Sequence, residues 1–323
     1  MVAAHDSKSC IRKGVGVRVS PPAQMNKLLV ILGPTATGKS DLAVDLALKF
    51  NGEIISADSR QVYRGMDLGT GKITKQEMKG VPHYLLDVVE PIERFSVAEF
   101  QGLAEKGVAE IQFRDKLPIL CGGTGLYIKS ITASPEYPKV APNYELREDL
   151  DTWETGDLAE ELRRLDPRRH ADIDVYNRRR LIRAIEIAKE LGSVPEIQEQ
   201  GAKSKEQALF IGLGLPAEVL KERIHVRLEK RIAAGMFDEV ARLHENGVSW
   251  ERLEGFGLEY KYCSLYLQKQ INLEQMNIKL ESEIWQYAKR QMTWFKKYAP
   301  DTKWFNPEQR NEIEVLVQKF IST

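Results

Sequence analysis

The sequence predicts an α/β protein: a mainly parallel sheet flanked by helices, with an inserted all-helical domain and a helical C-terminal region. Three observations carry this. Short apolar runs rich in strand formers alternate with helically spaced segments in the first part of the chain, the pattern of crossover units that build parallel sheets. The first run ends in Gly33-Pro34-Thr35-Ala36-Thr37-Gly38-Lys39-Ser40, which fits the phosphate-loop pattern GxxxxGK[ST] and makes the predicted sheet P-loop NTPase-like. Pro135, Pro138 and Pro142 then break the chain and open a stretch with no convincing strand.

Leu28-Leu29-Val30-Ile31-Leu32 reads as the first strand, and residues 39–50 place Leu42, Ala43, Leu46, Ala47 and Phe50 at helical spacing. Glu53-Ile54-Ile55-Ser56 is the second strand, and His83-Tyr84-Leu85-Leu86-Asp87 is a third. Ser96 and Glu99 have capping-box spacing at the head of a helix that runs to Phe113. Leu117-Pro118-Ile119-Leu120-Cys121 is a buried-type strand leading into Gly122-Gly123-Thr124-Gly125. Amphipathic helices are expected over 143–165 and 178–191, a strand over Phe210-Ile211-Gly212-Leu213-Gly214-Leu215, and helices from there to residue 299. The expected organisation is a core in 25–135, a helical insertion in 136–205, and core completion with C-terminal helices in 206–323. Residues 1–24 are basic and lack a secretory apolar block. They are expected to be disordered or a mis-called extension, with Met25 as the natural start; terminal sequencing that found Met1 or Val2 would refute this.

At 323 residues the chain exceeds the size of one typical hydrophobic core, so a large domain with an elaboration is expected. Its 47 basic and 47 acidic residues cancel, which neither announces nor excludes a nucleic-acid partner. Cys10, Cys121 and Cys263 lie far apart and suit a reducing cytoplasm rather than a disulfide framework or a zinc site. No apolar stretch is long enough to span a bilayer. His83, His170, His225 and His244 show no metal-ligand spacing.

The phosphate loop sits between a predicted strand and a predicted helix, where its glycines let backbone N–H groups face an anion and the helix adds its positive end. Lys39 supplies a charge for the outer phosphates, and the Ser40 hydroxyl can ligate Mg²⁺. Such a loop serves ATP-binding and other nucleotide-binding proteins, small-molecule kinases, and transferases that expel diphosphate. Asp58-Ser59-Arg60-Gln61 follows the second strand at the carboxyl edge, where open α/β sheets hold ligands. An acid there can bind a metal or take a proton. Thr124 offers a hydroxyl in the glycine-rich turn at another strand end.

In order along the chain, these blocks resemble the tRNA dimethylallyltransferase family (isopentenyl-diphosphate:tRNA transferases). The resemblance rests on GPTATGKS, DSRQVYRGMDLGTGK, PHYLLDVVEP, FSVAEF, PILCGGTGLYIKS, RRRLIRAIEI, RIHVR with AAGMFDEV, and YAKRQMTWF, and it spans residues 27–298. It implies transfer of a dimethylallyl group from its diphosphate to N6 of adenosine 37 in tRNAs that read codons beginning with U, with diphosphate released. That chemistry needs a base, because the N6 lone pair is delocalised, together with a cationic clamp and close positioning of both reactants. By resemblance Asp58 is the base or the hydrogen-bond orienter for N6, and Thr124 lies near the diphosphate and the reacting carbon. Arg227, the second arginine of Arg-Ile-x-x-Arg, contacts the diphosphate, while Arg223 one turn earlier could be structural. Gly33 to Ser40 cradle the donor, and Mg²⁺ is expected with Ser40 as a ligand.

The resemblance also implies that the insertion grips the anticodon stem-loop. Residues 163–183 carry eight arginines against Asp166, Asp172 and Asp174, a local surplus of five. Guanidinium groups suit phosphates and stacked bases. The residues assigned to tRNA are Asp58, Ser59, Arg60, Gln61, Thr124, Arg147, Arg179, Arg180, Leu181, Ile182 and Arg183, with Lys289, Arg290 and Gln291 near the C-terminus. Trp294 and Phe295 are expected to pack in the core. One segment departs from the family's Gly-Tyr-Lys/Arg: here it reads Gly257-Leu258-Glu259-Tyr260-Lys261. The competing readings are an adenylate prenyltransferase acting on a free nucleotide and a P-loop small-molecule kinase. A GTPase-like RNA-binding module is disfavoured because no NKxD motif is present. A monomer in the cytoplasm is expected.

Overall fold

The structure is a computed structural model that describes residues 27–196 and 207–323; the expected extension at 1–24 and the end of the expected insertion lie outside the described residues. Strands β1 (Lys27–Leu32), β2 (Gly52–Ser56), β3 (His83–Tyr84), β4 (Leu117–Gly122), β5 (Gln207–Leu213) and β6 (Lys303–Phe305) form one sheet. Their order is β3-β2-β4-β1-β5-β6, and every pairing is parallel. Because the sheet is covered on both faces, its central strands read as unbroken apolar runs. Within β1 the pleat sends Leu29 and Ile31 to one layer and Leu28, Val30 and Leu32 to the other.

The first layer is built by helix α1 (Lys39–Lys49), as its spacing predicts, and by a C-terminal helix that closes beside it. The second layer holds α2 (Val97–Phe113) and α3 (Gly125–Thr132). Ser96 and Glu99 form the expected reciprocal capping box at the start of α2.

The third expected strand is cut to two residues. Leu85 (φ 63°) and Asp87 (φ 55°) turn the backbone away. The N–H groups of Asp87 and Val88 then donate to the carbonyls of Gln61 and Val62 at 3.2 and 2.7 Å.

Four helices follow β4 and α3: α4 (Tyr144–Asp151), α5 (Thr155–Leu165), α6 (Pro167–Asp172) and α7 (Arg178–Leu191). They bury Leu150, Leu158, Leu162, Leu181 and Ile185 in a core separate from the two sheet layers. The helical pattern expected over 143–165 is divided between α4 and α5. Arg178 takes the carbonyls at the end of the first, donating to Asp151 O at 3.0 Å and Trp153 O at 2.7 Å. After β5 come α8 (Ala217–Ala233), α9 (Met236–Glu245), α10 (Trp250–Phe256), α11 (Leu258–Leu267) and α12 (Leu273–Tyr298), which pack on the second layer. Edge strand β6 and α13 (Arg310–Ser322) were not foreseen. Ile313 and Val317 of α13 complete the α1 layer. Among the described residues, no helix is long and apolar enough to cross a membrane.

Glu53 fastens β2, β3 and the turn before β4 to one another. Its buried carboxylate accepts from Tyr84 Oη at 2.7 Å, Arg114 Nη2 at 2.6 Å and Lys116 Nζ at 2.7 Å. Burial pushes this carboxyl up, but the three donors outweigh burial and hold it at about 2. A depressed folded-state pKa contributes stability above the ordinary value of 4.5 and loses it as the pH falls toward 2. Glu53→Gln should therefore cost about 1–3 kcal/mol at pH 7, with a smaller cost at pH 3.5. Urea unfolding at the two pH values measures this; an equal loss at both would mean that the charge is not what holds the three segments.

Candidate active site

The loops after β1, β2, β4 and β5 leave the same edge of the sheet, and the approach there is backbone to backbone. Gly33 has φ 146°, and a Cβ on it would lie 2.4 Å from Leu213 O. A Cβ on Gly122 would lie 2.2 Å from Ala57 O. With no side chains in the way, Ala57 N donates to Cys121 O at 2.8 Å and Thr124 N to Ala57 O at 3.1 Å. Gln291 of α12 ties two loops together: its Oε1 accepts from Thr35 N at 3.0 Å, and its Nε2 donates to Gly123 O at 2.9 Å.

In the phosphate loop, Thr37 Oγ1 and Lys39 Nζ both donate to Pro34 O, at 2.9 and 2.7 Å. Burial brings the Lys39 ammonium down to about 8, with Arg227 pushing the same way and Asp58 pulling back. Asp58 Oδ1 accepts from Arg60 N at 2.9 Å, an Asx turn that fixes the carboxylate at the strand end. Thr124 Oγ1 accepts from Ser59 N at 3.0 Å and lies 3.3 Å from Ser59 Oγ. Gln61 braces the same loop, taking a hydrogen bond from Ser56 Oγ and giving one to Gly71 O. The half-buried Arg60 guanidinium lies 5.4 Å from the Phe256 ring centre, and burial lowers its pKa. Burial and the neighbouring Arg231 bring Arg227 to about 10.

Lys39, Asp58, Ser59, Arg60 and Gln291 line a cavity of about 260 Å³, whereas Gln61, Thr124 and Arg227 stand outside its lining. Thr35, Lys39, Asp58 and Arg60 form part of its wall, and Phe256, Leu258, Ile284 and Tyr287 give it an apolar side. A larger cleft of about 540 Å³ between Arg64, Glu90 and Arg242 has none of the glycine loops. The 260 Å³ cavity therefore pairs an anion site with a small apolar compartment and a carboxylate.

The family model described as IPP transferase matches residues 61–298. The chain belongs to the IPP transferase family. It is 43% identical over 270 residues to tRNA dimethylallyltransferase 1 of Geotalea uraniireducens, covering 84% of this chain and 88% of that one. The crystal structure of the tRNA isopentenylpyrophosphate transferase of Bacillus halodurans is similar, with TM-score 0.69 and 37% identity over 92% of this chain and 97% of the other. So is that of a eukaryotic dimethylallyltransferase acting on tRNA, with TM-score 0.75 and 26% identity over 92% of this chain and 79% of the other. The P-loop NTPase-like sheet expected from the sequence agrees with these likenesses.

Of the residues expected to meet RNA, the structure separates those that face outward from those that do not. Leu181 and Ile182, expected at the tRNA contact, are buried in the insertion core in one cluster with Leu158 and Leu162. Arg147 and Arg183 converge on the buried Glu186, with Arg147 Nε and Nη2 at 3.0 and 2.7 Å from its two oxygens. Arg163, Arg164 and Arg168 pair with Glu160, Glu161 and Glu196. Much of the basic surplus is thus neutralised locally. Arg179 and Arg180 are exposed and have no side-chain hydrogen bond or ion pair among the described residues. Lys289 and Arg290 are exposed on α12, whereas Gln291 is buried and uses its amide inside the protein. Phe295 is fully buried, as expected.

Sequence reasoning passed over Arg231, Glu259 and Tyr287, all of which line the cavity. The four-residue spacing of Arg223, Arg227 and Arg231 was a usable signal for the first of these. For Mg²⁺, no group of three or more His, Cys, Asp or Glu side chains among the described residues could hold a metal. The exposed Ser40 hydroxyl at the head of α1 suits a hard cation that brings diphosphate oxygens with it.

An anion seated on the loop would return the proton that burial weakens on Lys39. Binding of inorganic pyrophosphate at pH 8.5 should therefore take up protons, and the uptake attributable to this lysine should vanish in Lys39→Met. Calorimetry in buffers of different ionisation enthalpy measures it; equal uptake in both proteins would mean that Lys39 is already fully charged when the loop is empty.

Proposed function

We propose that this chain is a tRNA prenyltransferase that moves a dimethylallyl group from dimethylallyl diphosphate to N6 of adenosine 37 in tRNAs reading codons that begin with U. The observation that carries this reading is the cavity itself, in which the phosphate-loop lysine, the strand-end carboxylate of Asp58 and an apolar wall meet. A kinase would need room for a nucleotide base and sugar at the loop. A five-carbon chain needs only a small apolar pocket, and Phe256, Leu258 and Ile284 supply one.

In this reading the diphosphate lies on the phosphate loop, with Lys39 and Arg227 balancing its charge. The N6 nitrogen attacks the allylic C1 carbon, a C–N bond forms, and the C1–O bond breaks with its electron pair leaving on diphosphate. Asp58 takes the N6 proton or orients the amine. Its Oδ1 is already held by Arg60 N, so the carboxylate does not have to be ordered during reaction. Thr124, whose Oγ1 accepts from Ser59 N, is assigned a place near the diphosphate and the reacting carbon. Mg²⁺, held by Ser40 together with the diphosphate, would neutralise charge on the leaving group. Arg179, Arg180, Lys289 and Arg290 are the exposed cations assigned to the anticodon stem-loop. Arg147 and Arg183 then act through Glu186, by holding the helix that presents Arg179 and Arg180.

Two measurements test this. Purified protein with Mg²⁺, dimethylallyl diphosphate and unmodified tRNA carrying an A36-A37-A38 loop should yield a dimethylallyl adduct on adenosine, detected by mass spectrometry after nucleoside digestion. Asp58→Ala should slow the reaction by about 10²–10⁴-fold. Product on AMP alone, or phosphate released from ATP without a prenyl donor, would replace the reading. The double variant Arg179→Gln/Arg180→Gln should raise KM for tRNA and reduce the log–log salt slope of tRNA binding by about 1 for each arginine on a phosphate. An unchanged slope would remove these residues from the interface.

A further inference from the structure

Three arginines of α8, Arg223, Arg227 and Arg231, follow one another at four-residue spacing and so share a face of the helix. The last two converge on one point. A Cβ placed on Gly71 would lie 1.9 Å from Arg231 Nη2 and 2.9 Å from Arg227 Nη2. Gly71, at φ 59° and with no side chain, therefore lets both guanidinium groups close over the same stretch of backbone. That backbone is itself anchored. The buried Glu239 carboxylate accepts the N–H groups of Asp67, Leu68 and Gly69 at 3.0, 2.6 and 3.0 Å, and the Tyr260 hydroxyl at 2.7 Å.

Two like charges crowded over one glycine require an opposite charge nearby. Arg231 has one, since its Nη1 donates to Glu259 Oε1 at 2.8 Å, with both side chains mostly buried. Arg227 has no ion pair among the described residues. Among the described residues Lys39 has one hydrogen-bond partner, the Pro34 carbonyl. The cavity lining sets Lys39, Arg60 and Arg231 against Asp58 and Glu259, and Arg227 stands beside Arg231 over Gly71, so this side carries a positive surplus. Of the α8 arginines it is Arg231 that lines the cavity, together with Lys39 and Glu259, whereas Arg227 is not part of its lining. Glu259 stands in the first turn of α11, directly after Gly257 and Leu258 of the cavity wall.

We propose that Arg231, oriented by Glu259, is a further binding residue for the diphosphate of the prenyl donor. This rests on the reading of the cavity as a prenyl diphosphate site. Arg231 Nη1 stays on Glu259 while the remaining N–H donors of its fork turn to phosphate oxygens, the bidentate use for which guanidinium geometry is suited. Glu259 is a positioning residue: it sets the plane of the fork and touches no substrate.

The test measures binding of inorganic pyrophosphate by calorimetry, and KM for dimethylallyl diphosphate and for tRNA. Arg231→Met alone leaves Glu259 buried without a partner and is at risk of misfolding. The double variant Arg231→Met/Glu259→Gln removes both charges and leaves no orphaned acid. If the pair is only structural, the double variant binds pyrophosphate as the wild type does, and the proposal is overturned. If Arg231 holds the diphosphate, pyrophosphate affinity falls about 10- to 100-fold, KM for dimethylallyl diphosphate rises with it, and KM for tRNA is unchanged. Arg231→Lys, which keeps the charge without the fork, should recover part of the loss. Pyrophosphate affinity lost in the double variant, in a wild-type protein that transfers no prenyl group to tRNA, would uphold this site and reject the proposed reaction. Wild-type affinity retained in the double variant, in a protein that does prenylate tRNA, would do the reverse.

Discussion

The closeness of the strand ends is the constraint on which this structure turns. Gly33 against Leu213 O and Gly122 against Ala57 O leave no space for a methyl group. A side chain at either position would push β1 from β5 or β2 from β4 at the edge where the loops emerge. Because the approach is made by backbone, the loops inherit the rigidity of a fully paired parallel sheet. Asp58, Thr124 and the phosphate loop are therefore held relative to one another before any ligand arrives. Gln291 of α12 adds a long-range link to two of these loops through a single amide that donates at one end and accepts at the other.

Buried carboxylates do the second part of the positioning. Glu53 fastens the β3 edge, Glu186 the helical insertion, Glu239 the loop that carries Gly71, and Glu259 the guanidinium of Arg231. At Glu53, Glu186 and Glu239 several donors converge on one acid and offset the desolvation that an unpaired buried charge would suffer, whereas Glu259 has the Arg231 fork and burial still pushes its carboxyl up. The arrangement also shows why charge counting along a sequence misleads. The arginine-rich run of the insertion looked like a uniform basic face. In three dimensions Arg147 and Arg183 are internal struts, Arg163, Arg164 and Arg168 answer neighbouring acids, and Arg178 caps a helix end. Of the exposed arginines of that run, Arg179 and Arg180 on one turn of α7 remain for a polyanion, while the half-buried Arg169 keeps its Nε inside the insertion.

The cavity shows the same separation between what bonds to the fold and what is left over. Lys39 is weakened as a cation by burial, and Arg227 and Arg231 are crowded together over Gly71. Such a cluster is unfavourable when empty and is relieved by an anion of high charge. Diphosphate has that charge both as part of a substrate and as a leaving group, so in the proposed reaction the groups assigned to the donor would also stabilise the charge that develops as it departs.

Sequence alone determined the parallel α/β core, because strand-forming apolar runs alternating with helical spacing leave few other architectures. It also determined the phosphate loop, whose glycines and lysine act through local backbone geometry, and the capping box at Ser96 and Glu99. Elements at the margin escaped it. Edge strand β6 is three residues long, and the third strand was shortened by the left-handed residues Leu85 and Asp87, of which the leucine gives no turn signal. Tertiary structure decided which arginines are free, that Leu181 and Ile182 face a core, that Gln291 bridges two loops, and that Arg231 and Glu259 meet at the cavity. The physical reason is common to all of these: a side chain's role depends on which partner desolvates or neutralises it. Those partners lie from 3 residues away, as in Arg183 with Glu186, to 256 away, as in Thr35 with Gln291.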